Sequence, residues 1–235
     1  RDDDEVLVNL PRIESAKIAS TFLNSDVLLC LSHFTGHIQT GFGAALKNLG
    51  MGCASRAGKL EQHSDVRLRI DPALCQNCKK CLDYCPADAL VQEKKNVAIL
   101  DEKCIGCGEC MVVCSFGAVK WEWDGDDTRV QEKIAEYAFS VCRLFNGKAG
   151  FINFLLRITK DCDCMSKKGH SISADIGILG SRDPVALDQA SVDLVLSQNK
   201  RDVLRQANDV DWEAQLHHAE KIGLGSRKYR LVTIS

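Results

Sequence analysis

The sequence predicts an α/β host domain, with a mixed or parallel sheet and flanking helices, that is interrupted by a small cysteine-rich α+β module. Strand and helix patterns alternate on both sides of the middle of the chain, and eight of the thirteen cysteines fall inside that middle. A length of 235 residues accommodates one substantial core plus a small module. We therefore divide the chain into a first host part at 1–68, an insert at 69–121 and a second host part at 122–235.

Hydrophobic spacing predicts the elements of the host domain. The predicted helices are at 13–24, 127–146, 184–197 and 212–221, and the predicted strands are at 26–31, 150–158, 175–179 and 229–234. Gly147 follows the second helix as a C-terminal cap would, and Pro184 occupies a favoured first-turn position of the third. Strands that alternate with helices favour parallel pairing in at least part of the sheet.

The composition is that of an ordinary folded domain, with 45% hydrophobic residues, 26% charged residues and a formal net charge of −2. Because charges of both signs are interspersed, no basic stripe indicates a nucleic-acid partner and no polybasic arm indicates a membrane partner. No apolar run approaches the roughly 20 residues that cross a bilayer, and no signal-peptide pattern opens the chain. We therefore expect a cytoplasmic location.

Eight cysteines form two copies of one motif, C-x2-C-x2-C-x3-C. The first copy is Cys75, Cys78, Cys81 and Cys85, and the second is Cys104, Cys107, Cys110 and Cys114, at an offset of 29 residues. The pair Ala89-Leu90 matches Ala118-Val119 at the same offset. The segment is therefore an internal duplication, which predicts two halves related by a pseudo-twofold axis.

This spacing is typical of the bacterial ferredoxin-like arrangement that holds two [4Fe–4S] clusters, in which the fourth cysteine of each run binds the other cluster. It predicts a first cluster on Cys75, Cys78, Cys81 and Cys114, and a second on Cys104, Cys107, Cys110 and Cys85. Zinc sites and a disulfide framework are the alternatives. Zinc motifs usually place two close pairs farther apart, and an odd number of cysteines cannot all be paired. The spacing therefore favours iron–sulfur clusters.

A glycine- and histidine-rich stretch follows the predicted strand at 26–31. Such a turn before a helix points backbone N–H groups at an anion, and a nearby lysine adds charge. The candidate residues for binding a cofactor or an anionic ligand are His33, His37, Lys47, Lys59 and His63. Because the stretch matches neither the dinucleotide motif nor the phosphate loop, a purely structural turn stays open. For His33, His37 and His63, the alternative is that each histidine only forms hydrogen bonds within the fold.

Two further cysteines lie just beyond the predicted strand at 150–158, in the sequence Asp161-Cys162-Asp163-Cys164. Loops at this end of an α/β sheet commonly carry function. A Cys-x-Cys pair in an extended segment also points both sulfurs to one side. Cys162 and Cys164 are therefore candidate ligands of an additional metal ion, or redox thiols, and inert cysteines are the alternative.

Other cysteines and histidines have no predicted site. Cys30 and Cys142 fall within apolar patterns and fit small buried positions, while Cys53 is compatible with either role. His217 and His218 are consecutive residues of a predicted helix, so they face different sides and do not share a site.

Several long motifs make the chain resemble the DUF362 family of iron–sulfur proteins. They are Leu31-Ser-His-Phe-Thr-Gly-His37, the run from Gly43 to Lys59, the eight motif cysteines, Asp161-Cys-Asp-Cys164, and Ser181-Arg-Asp-Pro-Val-Ala-Leu-Asp188. The resemblance implies a host fold with a ferredoxin insert, and it implies no assigned reaction or substrate. It also implies a further N-terminal α/β portion, and a start at Arg1 in place of methionine is typical of a fragment or a processed product.

The predicted function is that of an iron–sulfur redox protein whose two clusters transfer electrons to or from a site in the host domain or a partner oxidoreductase. The expected partners are a redox protein or a small-molecule electron donor or acceptor. The glycine- and histidine-rich stretch and the Asp-Cys-Asp-Cys loop would form the host site, as in an oxidoreductase component. A carrier subunit without chemistry of its own and a metal-handling module are the alternatives.

Overall fold

A computed structural model describes residues 3–63, 67–104, 108–122, 127–163 and 169–234. The described strands are β1 (Asp3–Leu7), β2 (Ser15–Ala19), β3 (Leu28–His33), β4 (Thr35–His37), β5 (Gly41–Gly43), β6 (Arg67–Ile70), β7 (Leu90–Gln92), β8 (Val97–Ile99), β9 (Val119–Glu122), β10 (Ala149–Leu155) and β11 (Gly177–Ser181). The described helices are α1 (Ser20–Leu23), α2 (Ala45–Lys47), a π-helical turn (Asn48–Gly52), α3 (Arg56–Gln62), α4 (Lys80–Asp83), α5 (Glu109–Val113), α6 (Asp127–Phe145), α7 (Pro184–Asn199), α8 (Val203–Ala207) and α9 (Glu213–Lys221). The chain divides into two compact units. The host unit consists of Arg1–Ser55 and Asp127–Ser235, and the cysteine-rich unit consists of Arg56–Asp126.

The main sheet of the host unit has the strand order β11-β10-β3. The central strand β10 runs parallel to β3, with Phe151 opposite Cys30, and antiparallel to β11, with Phe151 opposite Ser181. The sheet is therefore mixed, as the sequence predicts. Side chains alternate between its faces, so Cys30 and Phe151 are buried in the core while Leu29 and Leu31 are exposed.

Two long helices of the host unit match their predictions closely. Helix α6 ends just before Gly147, whose φ of 79° is the left-handed conformation expected after a helix. Helix α7 begins at Pro184, and the side chain of Asp183 caps it by accepting hydrogen bonds from the N–H groups of Val185 and Ala186. Of the helices that the structure describes, none is long and apolar enough to cross a membrane.

The predicted helix at 13–24 is wrong. Residues 15–19 form strand β2, which pairs antiparallel with β1 over five residue pairs, and only the four residues of α1 are helical. Burial in β2 alternates with a period of two, so that Ala16 and Ile18 are fully buried. Apolar residues in so short a run fit both periods, and pairing with β1 decides between them.

The predicted strand at 229–234 is also wrong. The described residues there have no regular secondary structure, and Leu231 and Val232 are more than half exposed. A strand requires a neighbour that takes up its backbone hydrogen bonds, and no described strand pairs with this segment. A β-prone composition therefore does not suffice here.

A buried carboxylate ties α6 to two other parts of the host unit. Glu136 of α6 is fully buried and accepts hydrogen bonds from the backbone N–H groups of Arg12 and Ile13. His218 Nε2 of α9 lies 2.7 Å from the same carboxylate. His217, one residue away, is exposed beside Arg227, which confirms that the two histidines face different sides.

The cysteine-rich unit repeats its backbone contacts at an offset of 29 residues. The N–H of Asp71 donates to the carbonyl of Ala118, and the equivalent N–H of Leu100 donates to the carbonyl of Ala89. Each cysteine run leads into a short helix, α4 or α5, that is preceded by a residue with left-handed backbone, Lys79 or Gly108. Two antiparallel strand pairs, β6 with β9 and β7 with β8, complete the unit. The backbone is therefore duplicated as the sequence predicts.

Candidate iron–sulfur sites and a polar cluster in the host unit

Four motif cysteines line one cavity of the cysteine-rich unit. Cys75 and Cys78 lie in the loop before α4, Cys81 lies within that helix, and Cys114 comes from the second run, immediately after α5. Apolar side chains such as Val97 form other parts of the cavity wall. Four thiols from two distant segments of the chain thus line the same cavity.

The second set of cysteines is described in part. Cys104 and Cys85 pack against a small core that contains the buried Cys110. Cys107, the remaining predicted ligand, lies outside the described residues. The described motif cysteines form no disulfides, which counts against a disulfide framework.

Backbone N–H groups approach the sulfur of the fourth cysteine in each run. Ala118 donates to Cys114 Sγ and Ala89 donates to Cys85 Sγ, both at 3.3 Å. Burial raises the pKa of Cys114, but several backbone N–H bonds outweigh it, so that the pKa of this thiol is lowered. Burial raises the pKa of Cys81, as do the nearby sulfurs of Cys75 and Cys114. Hydrogen bonds to thiolate sulfurs stabilise negative charge and tune the potential of a bound cluster.

Zinc and a cluster differ in how the sulfurs must be arranged. Within the described ranges, no group of three or more His, Cys, Asp or Glu side chains is arranged to hold a single metal ion. In a cubane each thiolate binds a different iron, so the sulfurs need not converge on one point.

A polar cluster of the host unit gathers several predicted residues at one edge of the sheet. His33 ends β3, and the loop after the neighbouring parallel strand β10 contains Cys162 and Asp163. His33 Nδ1 lies 2.7 Å from Asp163 Oδ2, and Lys47 Nζ lies 3.6 Å from Cys162 Sγ. Burial lowers the pKa of Lys47, against the opposing effect of Asp163. The carboxyl ends of parallel strands meet at one edge, which explains why these distant residues come together.

The other predicted ligand-binding residues lie elsewhere. His37 is buried, and its Nδ1 accepts hydrogen bonds from the backbone N–H groups of Gln39 and Thr40. Lys59 lies in α3 and His63 lies one residue beyond it, so both belong to the cysteine-rich unit. The five residues predicted to bind a cofactor or an anion are thus divided between the two units.

The predicted metal site in the Asp-Cys-Asp-Cys loop needs a correction. Cys162 is bonded in a disulfide, and a disulfide sulfur is not a thiolate ligand. Cys164 lies outside the described residues. The two cysteines predicted to occupy apolar positions lie at the host core: Cys30 is buried, and Cys142 packs against the same core. Burial, with the nearby Cys30 and Cys53, raises the pKa of Cys142 to about 12, which favours the protonated thiol.

One buried carboxylate that the sequence analysis does not single out occupies the predicted anion position. Asp188 of α7 is fully buried and accepts hydrogen bonds from the N–H groups of Ala45 and Leu46 at the start of α2. The side-chain amide of Asn153 donates to the same carboxylate at 2.8 Å. The N–H groups expected to face an external anion are therefore taken by the chain's own aspartate, which supports the structural reading of this turn.

The duplicated backbone and its cysteine runs define the class of protein: an α/β protein that carries a ferredoxin-type iron–sulfur segment. A family model described as "Domain of unknown function (DUF362)" matches residues 1–193. The chain belongs to this family. Its description assigns no reaction.

Three similar proteins have names that refer to hydrogenase, electron transport or ferredoxin. The chain is 34% identical over 87 residues to hydrogenase-4 component A of Escherichia coli strain K12, which covers 34% of this chain and 40% of that protein. It is 37% identical over 49 residues to electron transport protein HydN of the same strain, covering 20% and 28%. It is 38% identical over 53 residues to an uncharacterized ferredoxin of Methanocaldococcus jannaschii, covering 22% and 32%. The chain spans less than half the length of each of these relatives.

Proposed function

We propose that this chain is an electron-transfer protein that holds two [4Fe–4S] clusters in its cysteine-rich unit. The observation that carries the proposal is the single cavity lined by Cys75, Cys78, Cys81 and Cys114, because it joins three cysteines of one run to the fourth of the other. The duplicated backbone supports an equivalent site on Cys104, Cys107, Cys110 and Cys85. Such clusters supply one-electron transfer.

The interlocked arrangement suits passage of electrons through the unit, because each cysteine run would contribute to both clusters. The names of the relatives, which include a hydrogenase component and an electron transport protein, support a partner that exchanges electrons with this chain. We propose a larger oxidoreductase or a small-molecule donor or acceptor as that partner.

Iron and acid-labile sulfide analysis of the anaerobically reconstituted chain tests the proposal. We expect about eight irons and about eight sulfides per chain. Electron paramagnetic resonance after reduction should show two interacting centres. A fully loaded chain with only about four irons, or with zinc in place of iron, would overturn the two-cluster proposal.

A second proposal concerns the host unit, where the disulfide of Cys162 is a two-electron group. Reduction takes two electrons and two protons, breaks the S–S bond and yields two thiols. Lys47 Nζ, 3.6 Å from Cys162 Sγ, is placed to donate a proton to the leaving sulfur or to stabilise its thiolate. We propose that electrons from the cysteine-rich unit reach this disulfide.

Alkylation of Cys162 tests this second proposal. We expect iodoacetamide to label Cys162 after anaerobic photoreduction of the loaded chain, but not before, with labelling measured by peptide mass spectrometry. Lys47→Met should slow the labelling, and a Cys81→Ser chain that lacks a cluster should show less of it. If spectroscopy shows that the clusters of the loaded chain have taken up electrons while Cys162 stays unlabelled, the host disulfide is not the electron acceptor.

A further inference from the structure

A basic cavity lies on the host unit, apart from the polar cluster of His33 and Asp163. One wall comes from the loop between β10 and β11, with Lys160 and His170, and the other comes from the segment around α8, with Arg201 and Gln206. The cavity has a volume of about 390 Å³. This volume is within the range of sites that bind small organic molecules.

The lining has an unbalanced charge. Lys160 and Arg201 contribute positive charge, His170 adds an imidazole, and the eight lining residues that the structure describes include no acid. Within the described ranges of the chain, the side chains of these three residues form no ion pair or hydrogen bond. Positive groups that share a cavity without a carboxylate repel one another until an anion binds between them.

Two acids lie next to cationic lining residues in sequence, and neither lines the cavity. Asp161, which follows Lys160, lies beside Gly169. Asp202 follows Arg201 directly, but one of its oxygens accepts from the backbone N–H of Arg205 and the other accepts from the indole N–H of Trp212. Both carboxylate oxygens of Asp202 therefore have partners that do not line the cavity, Arg205 of α8 and Trp212 just before α9. Among the described lining residues, no acid offsets the charge of Lys160 and Arg201.

Hydrogen bonds order the first wall and tie it to the second. Within the first wall, the N–H of Lys160 donates to the carbonyl of His170. Asn208, which follows α8, donates from its side-chain amide to the carbonyl of Lys160 and so joins the two walls. Val203, which is buried, lines the cavity beside the charged groups. The cationic groups thus project from an ordered cavity with an apolar part, and an ordered site costs less to organise on binding.

We infer that this cavity binds a small organic anion with at least two negative charges, held by Lys160, Arg201 and His170. Guanidinium groups bind carboxylate or phosphate oxygens in a bidentate manner, and an ammonium group adds a point charge. The inference concerns the host unit alone, so it stands whether or not the cluster proposal holds.

Isothermal titration calorimetry of the reconstituted chain with citrate and, separately, with tripolyphosphate tests the inference. At low salt we expect saturable binding of at least one probe, and the preferred probe distinguishes a carboxylate from a phosphoryl ligand. The Lys160→Gln/Arg201→Gln double variant should lose at least about tenfold in affinity. The His170 imidazole resonances should shift on titration of the wild type. Circular dichroism would establish that the double variant is folded.

Arg205→Gln is the matched control, because Arg205 lies on α8, four residues after Arg201, but pairs with Asp211 and does not line the cavity. It should bind either probe within about twofold of the wild type. No saturable binding of either probe to the wild type would overturn the inference. Equal affinity in the wild type and the double variant would overturn it as well.

Discussion

Replacing Cys114 by Ala is expected to remove one cluster, so that the reconstituted chain holds about four irons in place of about eight. Cys114 lines the same cavity as Cys75, Cys78 and Cys81, although it belongs to the other cysteine run. Without it a cubane in that cavity lacks its fourth thiolate. The measurement is iron per chain, followed by alkylation of the cysteines that no longer bind a cluster.

The alkylation pattern distinguishes the interlocked ligand sets from two independent ones. In Cys114→Ala, interlocked sets leave Cys75, Cys78 and Cys81 open to iodoacetamide while Cys104 and Cys110 stay protected. If each run held its own cluster, the protection would be reversed, and the cavity would not be a ligand set. Cys142→Ala is the control: this thiol packs against the host core, so the iron content should stay at about eight.

The duplicated backbone of the cysteine-rich unit could be predicted because the repeat is visible in the local spacing of the cysteines. Both runs lie within a few residues of the helices they lead into, and the offset of 29 residues is visible in the sequence. The interlocked pairing stays a prediction from the motif, because a tight loop supplies only three thiolates to one cubane. Tertiary context adds the hydrogen bonds from Ala89 and Ala118 to the sulfurs.

The host unit could be predicted where strong periodicity or a helix-start residue such as Pro184 marked an element. Helix α6 has nineteen residues of amphipathic pattern, and its bounds agree within one residue. The segment at 13–24 was misassigned because β1, its partner strand, is recognised only in three dimensions. In the sequence, Asp188 cannot be distinguished from the other polar residues of α7, because its hydrogen-bond partner, the N–H of Ala45, lies 143 positions away. A carboxylate whose partners are that distant gives no local signal.

The cluster around His33 could be predicted in part. Both the histidine and the Asp-Cys-Asp-Cys loop follow strands, and parallel pairing of β3 with β10 brings them to one edge. Proximity was therefore predictable from topology. The disulfide at Cys162 and the placement of Lys59 in the other unit depend on the fold of each unit and have no sequence signature.

Replacing Asp188 by Asn is expected to lower the free energy of unfolding by about 3 kcal/mol, or the thermal midpoint by roughly 6–12 °C. The carboxylate accepts from Ala45, Leu46 and Asn153, and all of these donors are directed at a fully buried side chain. An amide in the same place has one oxygen, and its NH₂ group would face another N–H. Asp193→Asn is the matched control on the same helix, because Asp193 is partly exposed, and it should cost less than about 1 kcal/mol. Thermal unfolding of the loaded chain by circular dichroism measures both variants.

The same aspartate should make this difference in stability depend on pH. Burial outweighs the three N–H bonds and raises the pKa of Asp188 from 3.8 to about 6. The folded state therefore binds a proton more tightly than the unfolded state, so the stability contributed by this group is fully present below about pH 4 and is lost as the pH rises through about 6. The gap between wild type and Asp188→Asn should be larger at pH 5 than at pH 7 by roughly 1 kcal/mol. A gap that widens towards pH 7 would mean that the N–H bonds dominate over burial, and that Asp188 is held as a carboxylate throughout this range.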